Sequence, residues 1–280
     1  LIHCDGSSMH AGEVHFDYPS VGATENVMMA AVLVPGITTI HNPAREPEIV
    51  DLQNFINAMG GCVRGAGGHV IEIEGVSRLH GTEWTPMPDR IVAGTLLAAA
   101  AVTGGEITLT NAPESDMVAV TAKLREMGCR IAEAPGRIAL SAPQRLTAFG
   151  QLQTQPHPGF PTDMQVQMLA LLAVSEGTGV ITENVFANRF THAGDLNRMG
   201  AHILCTGRTA VVRGVRELYG ARVTARDLRG GAALVLAGLK AHGETHVEHA
   251  ELIDRGYDHL ERQLTELGAN IRRVSGEATE

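Results

Sequence analysis

Aromatic residues are scarce in this 280-residue sequence: six Phe, three Tyr and one Trp, 4% in all. The core must therefore be built from Ala, Leu, Val, Ile and Met packed closely, rather than around large rings. Cysteine is scarce as well. Cys4, Cys62, Cys129 and Cys205 stand far apart, with no C-x-x-C pair and no cysteine–histidine cluster. That excludes a zinc ribbon or a disulfide scaffold and leaves reduced thiols in a cytoplasmic protein as the expectation. No apolar run approaches the roughly 20 residues a membrane helix needs, and no signal peptide is visible, so no membrane partner is expected. Positive charge is outnumbered: 22 Lys and Arg face 31 Asp and Glu, a formal net charge of −9. Nucleic acid and anionic membranes call for a cationic face and are disfavoured as partners. The thirteen histidines show no H-E-x-x-H or comparable spacing, so each is expected to be structural or solvated, and no metal is expected.

Apolar residues, by contrast, make up 44% of the chain, enough for a sizeable core in one large or two ordinary domains, and glycine is abundant at 32 residues. The glycines reveal a repeat. Met59-Gly60, Met127-Gly128, Met199-Gly200 and Leu267-Gly268 recur 68, 72 and 68 residues apart. Each pair ends an amphipathic helix, where glycine supplies the left-handed stop. Around it the order helix, strand, helix, strand, strand repeats. In the first copy the segments are 27–34, 37–42, 48–59, 62–63 and 70–73, with a short strand at 14–16 ahead of them. The second copy has 91–102, 107–111, 117–127, 130–131 and 137–140. The third has 164–174, 179–184, 193–199, 201–204 and 210–213. The fourth has 232–239, 245–249, 257–267 and 270–274. Such α/β units need partners to bury their faces. The polar, proline-bearing stretch 81–88 reads as a crossing between lobes, giving domains at 1–87 and 88–280. Three copies follow that boundary and one precedes it, so the first lobe is expected to be incomplete. The initial Leu1, in place of Met, fits a piece of something longer.

The chemistry is expected where copies present polar residues at helix starts. His157-Pro158-Gly159-Phe160-Pro161 stops regular structure and sets Asp163 on a corner where a helix begins near Thr162. Thr162 with Gln165 also has the spacing of a capping box, a purely structural reading. Arg90, Arg229 and Arg255 each fall in the first turn of a predicted helix, where the macrodipole disfavours cations, a placement that suits anion sites. Arg189 lies beyond the carboxyl end of a predicted strand. Tyr18-Pro19-Ser20-Val21-Gly22 precedes the first helix and reads equally as a phosphate-approaching loop or as a simple cap. Gly65-x-Gly67-Gly68 reads as a hairpin turn.

The segments S-V-G-A-T (20–24), R-E-P-E-I-V-D (45–51), F-P-T-D-M-Q (160–165), E-N-V-F-A-N-R-F (183–190), D-L-R (227–229) and D-R-G-Y (254–257), in this order and spacing, resemble the UDP-N-acetylglucosamine 1-carboxyvinyltransferases of the enolpyruvyl transferase family. The resemblance covers essentially the whole chain. It implies repeated βαβαββ units in two lobes, an inside-out α/β barrel, with the first lobe incomplete. It implies transfer of the enolpyruvyl group from phosphoenolpyruvate to the 3-hydroxyl of UDP-N-acetylglucosamine in peptidoglycan synthesis, with no metal or organic cofactor. It gives Asp163 the role of general base and places Arg255 at the phosphate. Arg189 and Arg229 fall at the phosphoenolpyruvate carboxylate, and Tyr18, Pro19, Ser20, Val21, Gly22 and Val185 fall at the UDP-sugar. The loop departs from the family pattern at Tyr18, and the family's mobile loop with its reactive residue would lie upstream of residue 1. Cys4 does not replace that residue. The sister transferase acting on shikimate 3-phosphate, and a non-catalytic UDP-sugar-binding remnant, are the alternative readings.

Overall fold

The computed structural model describes residues 1, 3 and 5–274, so Cys4 lies outside the described residues. The chain divides into two compact units, Leu1–Pro88 with Pro156–Pro158, and Asp89–Gln155 with the chain from Gly159 onward.

The first unit contains β1 (Glu13–His15), α1 (Val21–Ala31), β2 (Ile37–His41), α2 (Pro47–Ala58), β3 (Cys62–Arg64) and β4 (Val70–Glu74). The sheet order is β1-β2-β4-β3, with β1 parallel to β2 and the other pairs antiparallel. Alternation sets which face is wet: on β4, Ile71 and Ile73 are fully buried while Val70, Glu72 and Glu74 face out. The buried face meets Met28, Ile40, Ile49 and Ile56. α1 starts six residues before the sequence-predicted position, because the V-G-A-T-E-N opening carries too few apolar residues to show a helical stripe. The predicted hairpin turn is present between β3 and β4. Gly65 has φ +91°, and a Cβ there would lie 2.2 Å from the Val70 carbonyl oxygen, so glycine is required twice over.

The second unit holds three further copies. The first comprises α3 (Arg90–Thr103), β5 (Glu106–Thr110), α4 (Val118–Glu126), β6 (Arg130–Ala134) and β7 (Arg137–Ser141), with sheet order β5-β7-β6. The next comprises β8 (Gln151–Gln153), a 3₁₀ turn (Thr162–Met164), α5 (Gln165–Ala173), β9 (Thr178–Thr182), α6 (Ala193–Arg198), β10 (His202–Thr206) and β11 (Thr209–Arg213), in the order β10-β11-β9-β8. The last comprises β12 (Arg222–Thr224), α7 (Leu228–Lys240), β13 (His246–Glu248), a 3₁₀ segment (Ala250–Arg255) and α8 (Leu260–Glu266), with β12 parallel to β13.

The repeat is physical as well as sequential. Gly60, Gly128, Gly200 and Gly268 all adopt positive φ, 91° to 99°. In the first and third copies an asparagine also clamps the strand that follows. Asn57 exchanges two hydrogen bonds of 2.8 Å with the Val63 backbone, and Asn197 exchanges two of 2.9 Å with Ile203.

Two strands were not foreseen and one expectation is corrected. The three-residue strands β8 and β12 are too short to show a pattern in sequence. The strand expected at 270–274 is absent: in the earlier copies the corresponding strand hydrogen-bonds a following one, and the described residues of the fourth copy contain none.

Within this unit the sheets turn one face to solvent, while α3, α5 and α7 pack against one another inside. All nine residues of α5 are buried, and small residues permit close approach. A Cβ on Gly94 of α3 would lie 2.8 Å from Met164. Full burial of Met168, Leu169, Leu171 and Leu172 contributes roughly 1.5–3 kcal/mol each. Among the described residues no helix is long and apolar enough to cross a membrane. Cys62, Cys129 and Cys205 are free thiols.

Candidate active site

The amino ends of α5 and α7 and the second turn of α3 meet inside the second unit, and polar residues gather there. Pro161 fixes an extended residue ahead of the 3₁₀ turn, and Asp163 follows on that turn. Arg229 is the second residue of α7, whose N-cap Asp227 accepts from the backbone N–H groups of Arg229 (2.9 Å) and Gly230 (2.8 Å). Arg189 comes from the irregular segment after β9.

The three meet. Arg189 Nη2 donates to Asp163 Oδ1 at 2.6 Å, and Arg229 Nε donates to Asp163 Oδ2 at 3.1 Å. Each carboxylate oxygen therefore faces one guanidinium, the charge-assisted geometry that arginine favours. Thr162 completes the frame: its hydroxyl accepts from Arg189 Nη1 (3.0 Å) and donates to Glu183 Oε2 (2.8 Å). Glu183, itself buried, accepts through Oε1 from the N–H groups of Val185 (2.8 Å) and Phe186 (2.9 Å) and from the Thr154 hydroxyl (2.9 Å). Glu183 thus folds the segment that carries Val185 and Arg189, and Arg189 lies over the Phe186 ring at 4.9 Å.

The capping-box reading of Thr162 and Gln165 fails. The turn has no side-chain cap, and the Thr162 hydroxyl serves Glu183 and Arg189. Behind the carboxylate, Gln167 of α5 bonds Thr95 of α3 and Tyr257, which follows the last 3₁₀ segment. With its nitrogen toward the carbonyls of Asp163 (2.9 Å) and Met164 (3.2 Å), its oxygen faces the hydroxyls of Tyr257 and Thr95; the opposite orientation would set oxygen against oxygen. The Arg229 guanidinium lies 5.2 Å from the centre of the Tyr257 ring.

Electrostatics follow from this packing. Burial alone would raise the Asp163 pKa, but the charges and hydrogen bonds of Arg189 and Arg229 outweigh it and hold the carboxyl below its usual range. Burial of the Arg229 cation opposes its charge, yet Tyr257 and Asp163 keep it above the ordinary arginine value. Arg229 Nη1 is buried without an acceptor among the described residues, a donor of the kind that suits an oxyanion. Close by, His192 is 2% exposed, and neither ring nitrogen has a partner among the described residues. Burial pushes its pKa down to about 4, Asp227 and Asp195 opposing and Arg189 assisting, so the ring is neutral at pH 7.

The other sequence-predicted residues stand as follows. Arg255 is exposed and ends the 3₁₀ segment, and no helix starts there: α8 begins only at Leu260, after His259 in the left-handed conformation. Its neighbour Gly256 packs against the cluster, for a Cβ there would lie 3.2 Å from Arg229 Nη1. Arg90 is buried in the first turn of α3. Tyr18, Pro19, Ser20, Val21 and Gly22 belong to the first unit. Ser20 caps α1, its Oγ accepting from the Ala23 N–H at 3.4 Å, while Tyr18 is exposed and a Cβ on Gly22 would meet nothing within 4 Å. Sequence reasoning missed Thr162 as a hydroxyl bridge, Glu183, Gln167, Tyr257 and His192. The one local signal was Glu183, an acid closing an otherwise apolar strand.

A family model described as EPSP synthase (3-phosphoshikimate 1-carboxyvinyltransferase) matches residues 2–264. The chain belongs to the EPSP synthase family. Relatives within it include UDP-N-acetylglucosamine 1-carboxyvinyltransferase 2 of Caldanaerobacter subterraneus subsp. tengcongensis, 52% identical over 98% of this chain and 66% of the relative. UDP-N-acetylglucosamine 1-carboxyvinyltransferase 1 of Symbiobacterium thermophilum is 58% identical over 94% of this chain and 59% of the relative. This EPSP synthase family chain therefore spans about three fifths to two thirds of the length of these relatives. In fold it is similar to the enolpyruvyl transferase NikO from Streptomyces tendae, with a TM-score of 0.83 at 24% identity, covering 94% of this chain and 65% of that one. The enolpyruvyl transferase fold that the resemblance implied is thus the fold of this chain.

Proposed function

We propose that this chain carries much of the machinery that transfers the enolpyruvyl group of phosphoenolpyruvate to the 3-hydroxyl of UDP-N-acetylglucosamine, releasing phosphate, in cytoplasmic peptidoglycan synthesis. The observation that carries this reading is the carboxylate of Asp163 held between Arg189 at 2.6 Å and Arg229 at 3.1 Å. The names of relatives 52% and 58% identical support the choice of substrate. In this proposal residues 88–280 form one lobe and residues 1–87 belong to the other.

The methylene carbon of phosphoenolpyruvate gains a proton. The sugar 3-hydroxyl attacks the adjacent carbon as Asp163 takes its proton, and the resulting tetrahedral adduct expels phosphate while losing a proton from the methyl group. Asp163 is ionised at neutral pH because its arginines lower its pKa, so it orients the hydroxyl well and is only a modest base. Arg229, with its buried donor, and Arg189 bind the carboxylate, and Arg255 meets the phosphate. Fixed guanidinium groups stabilise the shifting charge without reorganising. Val185 contacts the UDP-sugar. No metal or organic cofactor enters these steps.

Calorimetric titration of this chain with UDP-N-acetylglucosamine and, separately, with shikimate 3-phosphate tests the substrate class. Saturable binding of the first alone is expected. Binding of shikimate 3-phosphate alone would move the assignment to the reaction named in the family description.

A further inference from the structure

The strand pairing of the first unit brings together three side chains that the catalytic reading does not use. Glu13 and His15 are two residues apart on β1 and so share a face. In the parallel register His15 stands directly opposite His41 of β2. The two imidazoles stack, with centroids 4.2 Å apart and planes inclined by 7°. Glu13 Oε2 lies 3.7 Å from His15 Nε2 and 3.9 Å from His41 Nε2, and one ligand atom from each of the three residues falls within 4.8 Å of the other two. Glu13 and His15 are exposed and His41 half-buried, on the outward face of the sheet.

We infer that Glu13, His15 and His41 form a binding site for a borderline divalent transition-metal ion, zinc or cobalt. Two imidazole nitrogens and one carboxylate oxygen make a donor set that suits these ions and not magnesium or calcium, which prefer oxygen ligands. At metal–ligand bonds of about 2.0–2.1 Å, tetrahedral ligand atoms lie roughly 3.3 Å apart. The observed spacings therefore close by less than about 1.5 Å, which side-chain torsions supply at an exposed site. Water takes the fourth position. The backbone frame is already fixed: Phe16 N–H donates to the His41 carbonyl (3.2 Å), Asn42 Nδ2 to the Phe16 carbonyl (2.8 Å) and Thr39 N–H to the Gly12 carbonyl (2.9 Å). Spacing along the chain gave no hint of metal because the ligands come from two strands, His15 and His41 being 26 residues apart. The ion ties the three-residue edge strand β1 to β2, so it stabilises the unit as well as occupying it.

The test is a Zn²⁺ calorimetric titration and a Co²⁺ absorption titration of the whole chain, beside His15→Ala, His41→Ala, Glu13→Gln and a control, His242→Ala. Expected are one saturable site, tetrahedral Co²⁺ bands, loss of affinity of at least about tenfold in each site variant, and none in the control. A ~100-fold excess of Zn²⁺ over its Kd should raise the melting temperature of the wild type by about 5 °C or more and leave His41→Ala unmoved. Wild-type affinity in the site variants, or no saturable uptake by the wild type, overturns the inference. Circular dichroism checks that each variant folds, and the milder His15→Gln repeats the comparison if His15→Ala does not.

Discussion

Removing either partner of the Asp163–Arg229 pair should have unequal effects on stability. Arg229 is buried, its Nη1 has no acceptor among the described residues, and Nε has Asp163 as its acceptor. Asp163→Asn keeps the shape but takes away the charge, and because both oxygens face guanidinium donors, the new NH₂ must oppose one of them. An uncompensated buried cation costs about 3–5 kcal/mol. The Asp163 side chain is 36% exposed, and solvent screening lowers the expected loss to about 2–3 kcal/mol. Arg229→Met leaves a partly exposed carboxylate still held by Arg189 at 2.6 Å and replaces a costly buried charge with an apolar chain. The expected loss is about 1 kcal/mol. In the double variant the stranded Arg229 cation is gone, so its stability should match that of Arg229→Met alone, a coupling of about 2–3 kcal/mol. Urea denaturation followed by circular dichroism, with both units monitored because two transitions can occur, reads these differences. If Asp163→Asn proved neutral, or the two losses simply added, the ion pair would not have the energetic role assigned to it.

Other predictions follow from individual contacts. His192, held neutral in the fold with a pKa of about 4, lets the unfolded chain bind a proton that the folded chain refuses. Stability is therefore constant above about pH 6.5 and falls as pH drops from 6.5 toward 4, by about 3 kcal/mol from this group; His192→Gln should flatten that slope in denaturant titrations across this range. Thr162→Val removes a hydroxyl bonded to both Glu183 and Arg189 and should cost about 1–2 kcal/mol, visible as faster amide exchange at Val185 and Phe186. Gly256→Ala places a Cβ 2.4 Å from Leu228 Cδ1 and 3.2 Å from Arg229 Nη1. A loss of about 1–3 kcal/mol is expected, with weaker phosphoenolpyruvate binding by calorimetry.

Much of the architecture was legible because its signals are local. A glycine closing each second helix and apolar runs at the inner helices are properties of short windows, and they located the copies. β8 and β12 escaped because three residues show no alternation, and the start of α1 escaped because its first six residues, V-G-A-T-E-N, hold too few large apolar side chains to show a stripe. Within the site, Asp163, Arg189 and Arg229 were legible as unusual placements at helix starts and strand ends. Gln167 and Tyr257 were not, because their roles exist only across the fold: Tyr257 and Thr95, whose hydroxyls lie 3.0 Å apart, are 162 residues distant in sequence. Thr162 shows the opposite failure, a local rule overruled by a tertiary partner.

The most direct measurement of the central claim is phosphate release from phosphoenolpyruvate on adding UDP-N-acetylglucosamine, made on the complete gene product with Asp163 or with Asp163→Asn, beside the UDP-N-acetylglucosamine Kd of each. Turnover should fall by about 100-fold or more while the Kd changes by less than about threefold. Unchanged turnover, or turnover and binding lost in equal measure, would contradict the account.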